Sequence, residues 1–381
     1  MESLVKNRQQ LEKEEENRLA PYAVKSRNSR GRKYDEKEDD YRLSFQRDRD
    51  RIIHSKAFRR LKAKTQVFIE HYGDHFRTRL THTLEVAQIS RDIARSLGLN
   101  EDLAEAIALA HDLGHTPFGH MGEEALSACL QLFGLHFEHN EQSRRIVSEI
   151  EHQYPDFHGL NLTEEVLEGL MKHQSPWDHP VFKERKSPSL EAQVVNLSDE
   201  IAYHNHDIDD GLRSGILTYQ SVQKLTLFHE ACELVKRRYE KISDESVQLS
   251  RIVSQMISLM IYDLYSATQK NLAHSQIKNL KDVYNLKKPV VSFTPEMAKR
   301  THELKDFLTE RLYFHPRVHR RALKGKKIIR KLFEHYVKNP HRLPDKLKNR
   351  IEKGEQKAEI VRDFIAGMTD TFAEDCVRDC K

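Results

Sequence analysis

Two segments with helical apolar spacing follow one another between residues 80 and 113. In the first, the apolar residues that repeat at this spacing are Leu80, Leu84, Ala87, Ala94 and Leu97. The second, DLAEAIALAHDLG, is apolar on most sides, which predicts a buried helix. Gly98 is suited to end the first helix, and Asn100 to cap the second, with Glu101 and Asp102 in its first turn. The pattern predicts two packed helices joined by a short turn.

The composition extends this prediction to the whole chain. Its 381 residues include only 14 glycines and 11 prolines, whereas charged residues reach 32%. Few turn formers and many Lys, Glu and Leu residues favour long helices with short connections. Residues 1–45 are expected to form a charged N-terminal arm, residues 46–215 a core with the candidate site, and residues 216–381 a C-terminal helical region. The arm is expected to be flexible or to form a helix that needs a partner.

Charge and hydropathy indicate a cytoplasmic protein without a membrane segment. The uncharged run near the centre of the chain, residues 252–262, is too short to span a bilayer, and the charged N-terminus lacks an apolar signal region. The four cysteines form no CxxC pair, which favours free thiols in a reducing compartment. A net charge of +4 creates no overall field that would require a nucleic-acid partner.

Histidine and aspartate residues in the second helical segment predict a metal site. The pair His111-Asp112 follows His82 by 29 residues and ends a helix predicted to be buried, where an aspartate needs a cation or donors. Adjacent helical residues point about 100° apart, so this pair can share one ion only near the helix end. His82 could supply a third ligand and Asp199 a further carboxylate. Such a set suits Mg, Mn, Fe, Co, Ni or Zn, and the sequence does not choose among them.

Three further residues near this pair suggest acid–base chemistry. His115 lies one turn after His111 and could contact a substrate phosphate, and His120 in the loop HTPFGH could protonate a leaving oxygen. Glu123 could orient His120. For each of the three alone, a cap or a core position is the more common role. The combination is far more specific than any one of them.

Two basic clusters have two interpretations each. Arg59, Arg60, Lys62 and Lys64 form either a solvated face or the lining of an anion pocket. The run Arg317–Lys331 has eight Lys and Arg residues and no acids, and is expected to be a solvated helix face or else a contact for a polyanion or another subunit.

The order His82, His111-Asp112, Asp199 resembles the HD-domain metal-dependent phosphohydrolase superfamily. Longer blocks resemble, more closely, the bacterial deoxyguanosinetriphosphate triphosphohydrolase-like family. These blocks are FQRDRDRIIHSKAFRRLKAKTQVF, RTRLTHTLEVAQI, AHDLGHTPFGHMGE, HNEQS and DEIAYHNHDIDDGL, and they occur in the family's order. The resemblance implies an all-α HD-domain helical core with additional C-terminal helices. It also implies hydrolysis of a dNTP, dGTP among them, to a deoxynucleoside and inorganic triphosphate, with water attacking the α-phosphorus.

The resemblance also implies a role for each site residue. The metal ligands would be His82, His111, Asp112 and Asp199. The catalytic group would be His115, His120, Glu123 and, in the HNEQS block, His139. The residues that contact substrate would be Gln66, Arg79, Tyr203 and Asp207, with Arg79 on phosphate and Tyr203 placed to exclude a ribose 2′-hydroxyl.

Members of the family are commonly homo-oligomers, hexamers among them, and are often activated by a dNTP at a second site. The resemblance therefore implies a homo-oligomer and a dNTP activator, for which the run Arg317–Lys331 or the N-terminal arm could supply basic residues. Two other functions stay open at this point. One is a different HD-domain nucleotide phosphohydrolase or phosphodiesterase, and the other is a non-enzymatic nucleic-acid-binding protein. Nucleic acid is otherwise expected only as a secondary ligand.

Overall fold

A computed structural model describes residues 5–66, 76–171 and 187–380. Within these ranges the chain forms 18 α-helices and no sheet, and β pairing is limited to isolated bridges such as that between Arg32 and Thr163. The predicted all-α fold is therefore confirmed. The helices of the N-terminal half are α1 Arg8–Arg18, α2 Ser44–Ile53, α3 Lys56–Arg60, α4 Arg79–Ser96, α5 Glu101–Ala110, α6 Gly119–Gln131, α7 His139–Arg145, α8 Glu164–Met171 and α9 Leu190–Arg213.

The C-terminal half contributes nine more helices. They are α10 Tyr219–Val222, α11 Thr226–Arg238, α12 Glu245–Ser275, α13 Leu280–Tyr284, α14 Pro295–Leu308, α15 Pro316–Lys338, α16 Asp345–Glu352, α17 Lys357–Ala366 and α18 Asp370–Arg378. Short π-helical segments, Ile146–Ile150 and Thr309–Tyr313, extend α7 and α14. No helix of the described ranges is long and apolar enough to cross a membrane.

The chain divides into two compact units. The first contains Met1–Arg49, Leu84–Ala108 and Thr163–His315, and the second contains Asp50–Thr83, Leu109–Leu162 and Pro316–Lys381. The region boundaries predicted after residues 45 and 215 stay predictions.

The first unit is built around the long helix α12, which packs against α9 and α11. Its core stripe contains Ile252, Met256, Met260 and Leu264, which are all buried as their helical spacing predicts. The turn from α4 to α5 also follows the sequence, because Gly98 adopts a left-handed φ of +68° and the Asn100 side chain accepts the Leu103 N–H at 3.2 Å.

Buried carboxylates anchor the N-terminal arm within the first unit. Glu15 of α1 accepts hydrogen bonds from the Ser26 N–H at 2.7 Å and from the Asn100 amide at 2.8 Å. Glu191, in the first turn of α9, accepts the N–H groups of Val24 at 2.9 Å and Asn100 at 3.1 Å. The arm was expected either to be flexible or to form a helix that needs a partner, and α1 is such a helix.

The second unit packs α6, α17 and α18 against α15. Leu126 and Leu130 of α6 meet Ile329 and Leu332 of α15 in one apolar cluster. The opposite face of α15 carries the basic run, and its exposed side chains are Arg317, Arg320, Lys324, Lys327, Arg330 and Lys331. Lys324 pairs with Glu374 on α18, which is consistent with the solvated-face interpretation.

Candidate active site

The pair His111-Asp112 lies in the turn immediately after α5, and both residues are buried. Ser143 of α7 holds this turn, because its hydroxyl donates to the His111 carbonyl at 2.7 Å and accepts the Gly114 N–H at 2.8 Å. A Cβ on Gly114 would lie 2.1 Å from the His139 carbonyl oxygen, so only glycine fits there. Because His111 and Asp112 lie beyond the end of α5, their side chains are not held about 100° apart as adjacent helical residues are.

The Asp112 carboxylate is the centre of the site within the second unit. Its Oδ2 accepts a 2.8 Å hydrogen bond from the Arg79 Nη1 and lies 3.9 Å from the His82 Nε2. Its Oδ1 lies 3.3 Å from the His111 Nε2 and 3.1 Å from the His115 Nε2. Three imidazoles and one guanidinium therefore face a single carboxylate that is only 4% exposed.

The charges of these groups fix the protonation of Asp112 and His115. Burial alone would raise the pKa of Asp112, but His111 and Arg79 outweigh burial and hold this pKa well below its usual range. Burial and the nearby Arg79 and His139 lower the pKa of His115 well below the usual value for histidine. At neutral pH the pair is therefore an ionised carboxylate beside a neutral imidazole.

A second carboxylate lies on the other side of His115. Glu123 of α6 accepts the main-chain N–H of His139 at 2.9 Å, and its side chain lies 3.2 Å from the His139 Nδ1. Glu123 is also 3.9 Å from the His115 Nδ1, and the rings of His115 and His139 stack with centroids 4.0 Å apart. Burial would raise the pKa of Glu123, but His139 and His115 lower it to about 2, so the carboxylate stays ionised.

His120 differs from the other histidines of the group in its exposure. Its side chain is 63% exposed, and its Nδ1 lies 4.0 Å from Glu123. The structure thus brings His115, Glu123 and His139 together in the interior and places His120 at the solvent side of the same carboxylate.

Among the residues predicted to contact substrate, Gln66 and Arg79 belong to the second unit and lie beside the start of α6. A Cβ on Gly119 would be 3.6 Å from the Arg79 Nη2 and 3.6 Å from the Gln66 carbonyl oxygen. Arg79 is engaged by Asp112, and its Nε has no hydrogen-bond partner among the described residues.

The other predicted residues, Asp199, Tyr203 and Asp207, belong to α9 of the first unit. Burial, followed by the charges of Glu200 and Asp199, raises the pKa of Tyr203, so its hydroxyl stays protonated. That hydroxyl has no hydrogen-bond partner within the described part of the chain. Asp207 accepts a hydrogen bond from the Tyr313 hydroxyl, a residue that sequence reasoning missed because the π-helical segment that places it shows no sequence signal.

The donor set fits a divalent metal. Ring nitrogens of His82 and His111 lie within 4.8 Å of one another, and the ionised Asp112 lies beside both. Imidazole nitrogen with carboxylate oxygen is a ligand set that several divalent ions accept. His115, Glu123 and His139 form a second group whose potential ligand atoms also lie within 4.8 Å of one another. The site can therefore hold a cation and, next to it, move a proton.

Comparisons with known proteins find two matching families and several relatives of similar length. The HD domain family matches residues 79–204, and a phosphohydrolase-associated domain family matches residues 291–379. A protein from Geobacter metallireducens is 51% identical over 95% of this chain and 94% of its own length, and one from Geobacter sulfurreducens is 49% identical over 94% and 93%. A protein from Leptospira interrogans is 47% identical over 96% of both chains.

All three relatives are named deoxyguanosinetriphosphate triphosphohydrolase-like proteins. These similarities extend over nearly the whole length of each chain. The chain therefore belongs to the deoxyguanosinetriphosphate triphosphohydrolase-like family of HD-domain proteins.

Proposed function

We propose that the protein hydrolyses deoxynucleoside triphosphates, dGTP and other dNTPs, to a deoxynucleoside and inorganic triphosphate. The observation that carries this proposal is the convergence of His82, His111, His115 and Arg79 on the buried Asp112. Such a centre joins cation binding with a guanidinium suited to phosphate. The names of the relatives support a dNTP as the substrate.

The proposed metal ligands are His82, His111, Asp112 and Asp199. A divalent cation bound there supplies Lewis acidity toward a phosphoryl oxygen and toward the attacking water. Arg79 has two roles in this proposal. It neutralises Asp112 through the 2.8 Å bond, and it presents its remaining N–H groups to the triphosphate.

The proton transfers are assigned to the group around Glu123. His115 is neutral because burial and Arg79 lower its pKa, and its Nδ1 has no hydrogen-bond partner among the described residues. This nitrogen can therefore accept a hydrogen bond from the water that attacks the α-phosphorus. His120, near the ionised Glu123, donates a proton to the leaving 5′ oxygen, and His139 fixes the orientation of Glu123.

Sugar recognition is assigned to Gln66, Tyr203 and Asp207. In this proposal Gln66 and Asp207 contact the 3′-hydroxyl, and the Tyr203 ring occupies the space that a ribose 2′-hydroxyl would need. Tyr203 is suited to this role because its hydroxyl stays protonated and its ring is partly buried in α9.

We also propose that the active form is a homo-oligomer, a hexamer by resemblance to the family, and that a dNTP activator binds basic residues of the run Arg317–Lys331 or of the N-terminal arm. The exposure of Arg320 on α15 supports this use of the run. Replacing Arg320 and Arg321 by alanine should then change dNTP activation at unchanged metal content. Single-stranded nucleic acid is at most a secondary ligand of the same basic face.

The test is product analysis by ion chromatography with the full chain, each of the four dNTPs and GTP, in Mn or Mg, singly and in mixtures. Inorganic triphosphate from dNTPs and none from GTP is the expected result. Orthophosphate or pyrophosphate as the product would instead assign the site to another HD-domain phosphohydrolase reaction. Asp112→Ala serves as the inactive control, because it removes the carboxylate on which the site converges.

A further inference from the structure

Lys64 is a buried cation that the proposed reaction does not use. It is only 3% exposed, and its Nζ donates to two main-chain carbonyls, that of His115 and, at 3.0 Å, that of Ala366. Its own carbonyl accepts the Arg79 N–H at the start of α4 at 3.3 Å. One residue thus contacts the start of α4, the loop after α5 and the last residue of α17.

Asp370, the first residue of α18, makes the matching contact from the other end of the same loop. Its Oδ1 accepts the Phe118 N–H at 3.1 Å, and its Oδ2 accepts the N–H of Thr65 at 3.1 Å and the Thr65 hydroxyl. Asp370 is itself buried. Lys64 and Thr65 are neighbours in sequence, so the two contacts form one connected clamp.

The loop held by this clamp has an unfavourable backbone. Phe118 adopts a left-handed conformation with φ +64° and caps α6 without a side-chain hydrogen bond. A non-glycine residue in this region is strained and persists only where its surroundings hold it. Within the loop, the Thr116 hydroxyl donates to the Gly119 carbonyl at 3.2 Å, which alone does not fix the two ends. His115 and His120 flank this strained segment.

We propose that Lys64 and Asp370 are positioning residues, which hold the loop from His115 to His120 so that its two histidines face the α-phosphate. This inference rests on the proposed function for the identity of the reaction, but the contacts themselves do not depend on it. It gives the phosphohydrolase-associated region, which contributes Ala366 and Asp370, a direct part in the geometry of the catalytic loop.

A purely structural role would be to cap the C-terminus of α17. Arg60 already does this from an exposed position, because its Nη1 donates to the Gly367 carbonyl at 3.0 Å. Burying an ammonium group costs desolvation that the exposed arginine avoids. The second carbonyl, that of His115, is the contact that distinguishes Lys64 from Arg60, and it makes Arg60 the matched control.

The test compares Lys64→Met, Asp370→Asn and the control Arg60→Met in the full chain. Methionine keeps most of the apolar stem of Lys64 and removes both hydrogen bonds. Asparagine keeps the shape of Asp370 but loses the charge and one acceptor. Amide hydrogen exchange of peptides covering residues 113–121 reports directly on the loop and needs no substrate.

Exchange in this loop should become about tenfold faster in Lys64→Met and Asp370→Asn and stay at the parent rate in Arg60→Met. With a dNTP that the parent hydrolyses, the first two variants should lose about 10- to 100-fold in kcat at nearly constant KM, and Arg60→Met should keep the parent kcat.

Equal loop exchange in all three variants would overturn the inference, as would faster exchange with an unchanged kcat. If the parent hydrolyses no dNTP, the proposed function fails, whereas the exchange comparison still decides whether the clamp holds the loop. Asp370→Asn acts from the end opposite to Lys64, so the comparison survives if one of the two variants does not fold.

Discussion

At the scale of single residues, the site depends on one carboxylate surrounded by cationic or proton-bearing groups. One carboxylate oxygen of Asp112 accepts a hydrogen bond from Arg79, and both oxygens have histidine neighbours. Burial and the charges of Arg79 and His139 keep His115 neutral and able to accept a hydrogen bond, although the ionised Asp112 opposes this effect. The chemistry therefore follows from charge balance among a few buried side chains.

Glu123 provides the sharpest test of a single side chain. Glu123→Gln keeps an acceptor for the His139 N–H but removes the negative charge that the adjacent histidines stabilise. We expect kcat for dNTP hydrolysis to fall about 100-fold or more, since a general acid then loses its orienting charge. The neighbouring Glu124→Gln is the control, because Glu124 is exposed and pairs with Lys326. Equal kcat values in steady-state assays of the two variants would contradict the role of Glu123.

Spacing together with the family resemblance predicted several residues of this centre, whose roles as ligands stay predictions. His82, His111, Asp112 and His115 do lie together, because two helices and a helix end set their positions. Lys64 shows the limit. Its sequence neighbours Arg59, Arg60 and Lys62 are exposed as a solvated face predicts, whereas Lys64 is buried by contacts with residues some 50 and 300 positions away. No local pattern encodes such contacts.

At the scale of secondary structure elements, local rules account for helix starts and core stripes. Asn100 caps α5, and the stripe of α12 is buried, as periodicity predicts. Local rules were less informative for α9. A polar row opposite an apolar stripe usually faces solvent, yet Asp199 and Asp207 are buried. The sequence predicted that these polar residues share one face of α9. It did not predict that this face is buried, since burial depends on elements distant in the chain.

The start of α9 also makes the stability of the first unit depend on pH. Burial raises the pKa of Glu191 from 4.5 to about 7, although the N–H groups of Asn100 and Val24 oppose the shift. Between these two values the folded chain holds a proton that the unfolded chain has released. The contribution is therefore full below about pH 4.5 and is lost as the pH rises through about 7, with an upper limit of about 3 kcal/mol.

Glu191→Gln should flatten this dependence, because a neutral amide oxygen can accept the same two N–H groups at any pH. We expect the variant to exceed the parent in free energy of unfolding by about 1–3 kcal/mol at pH 8, with the difference shrinking toward pH 5. Urea unfolding at several pH values measures it. Glu245→Gln, in the exposed first turn of α12, should follow the parent curve. A parent-like slope in Glu191→Gln would rule out this residue as the source.

At the scale of the whole molecule, the proposed metal should stabilise the folded chain. A ligand that binds only the folded state contributes about 2.7 kcal/mol at a concentration one hundred times its Kd. We expect the Tm of EDTA-treated protein to rise when Mn or Mg is added. Asp112→Asn should abolish this rise, because the centre of the donor set is lost. Differential scanning calorimetry of both proteins, with and without metal, makes the comparison. An equal rise in the variant would place the bound ion elsewhere.

The packing of Phe118 on α15 restricts which substitutions this chain can accept at either position. The left-handed backbone at residue 118 favours glycine or asparagine, but the aromatic ring there is buried. A Cβ on Gly325 would lie 2.5 Å from the Phe118 Cβ, so a larger residue at 325 requires either glycine at 118 or a shift of the backbone. We therefore expect residues 118 and 325, which are 207 positions apart in sequence, to tolerate substitution only as a pair.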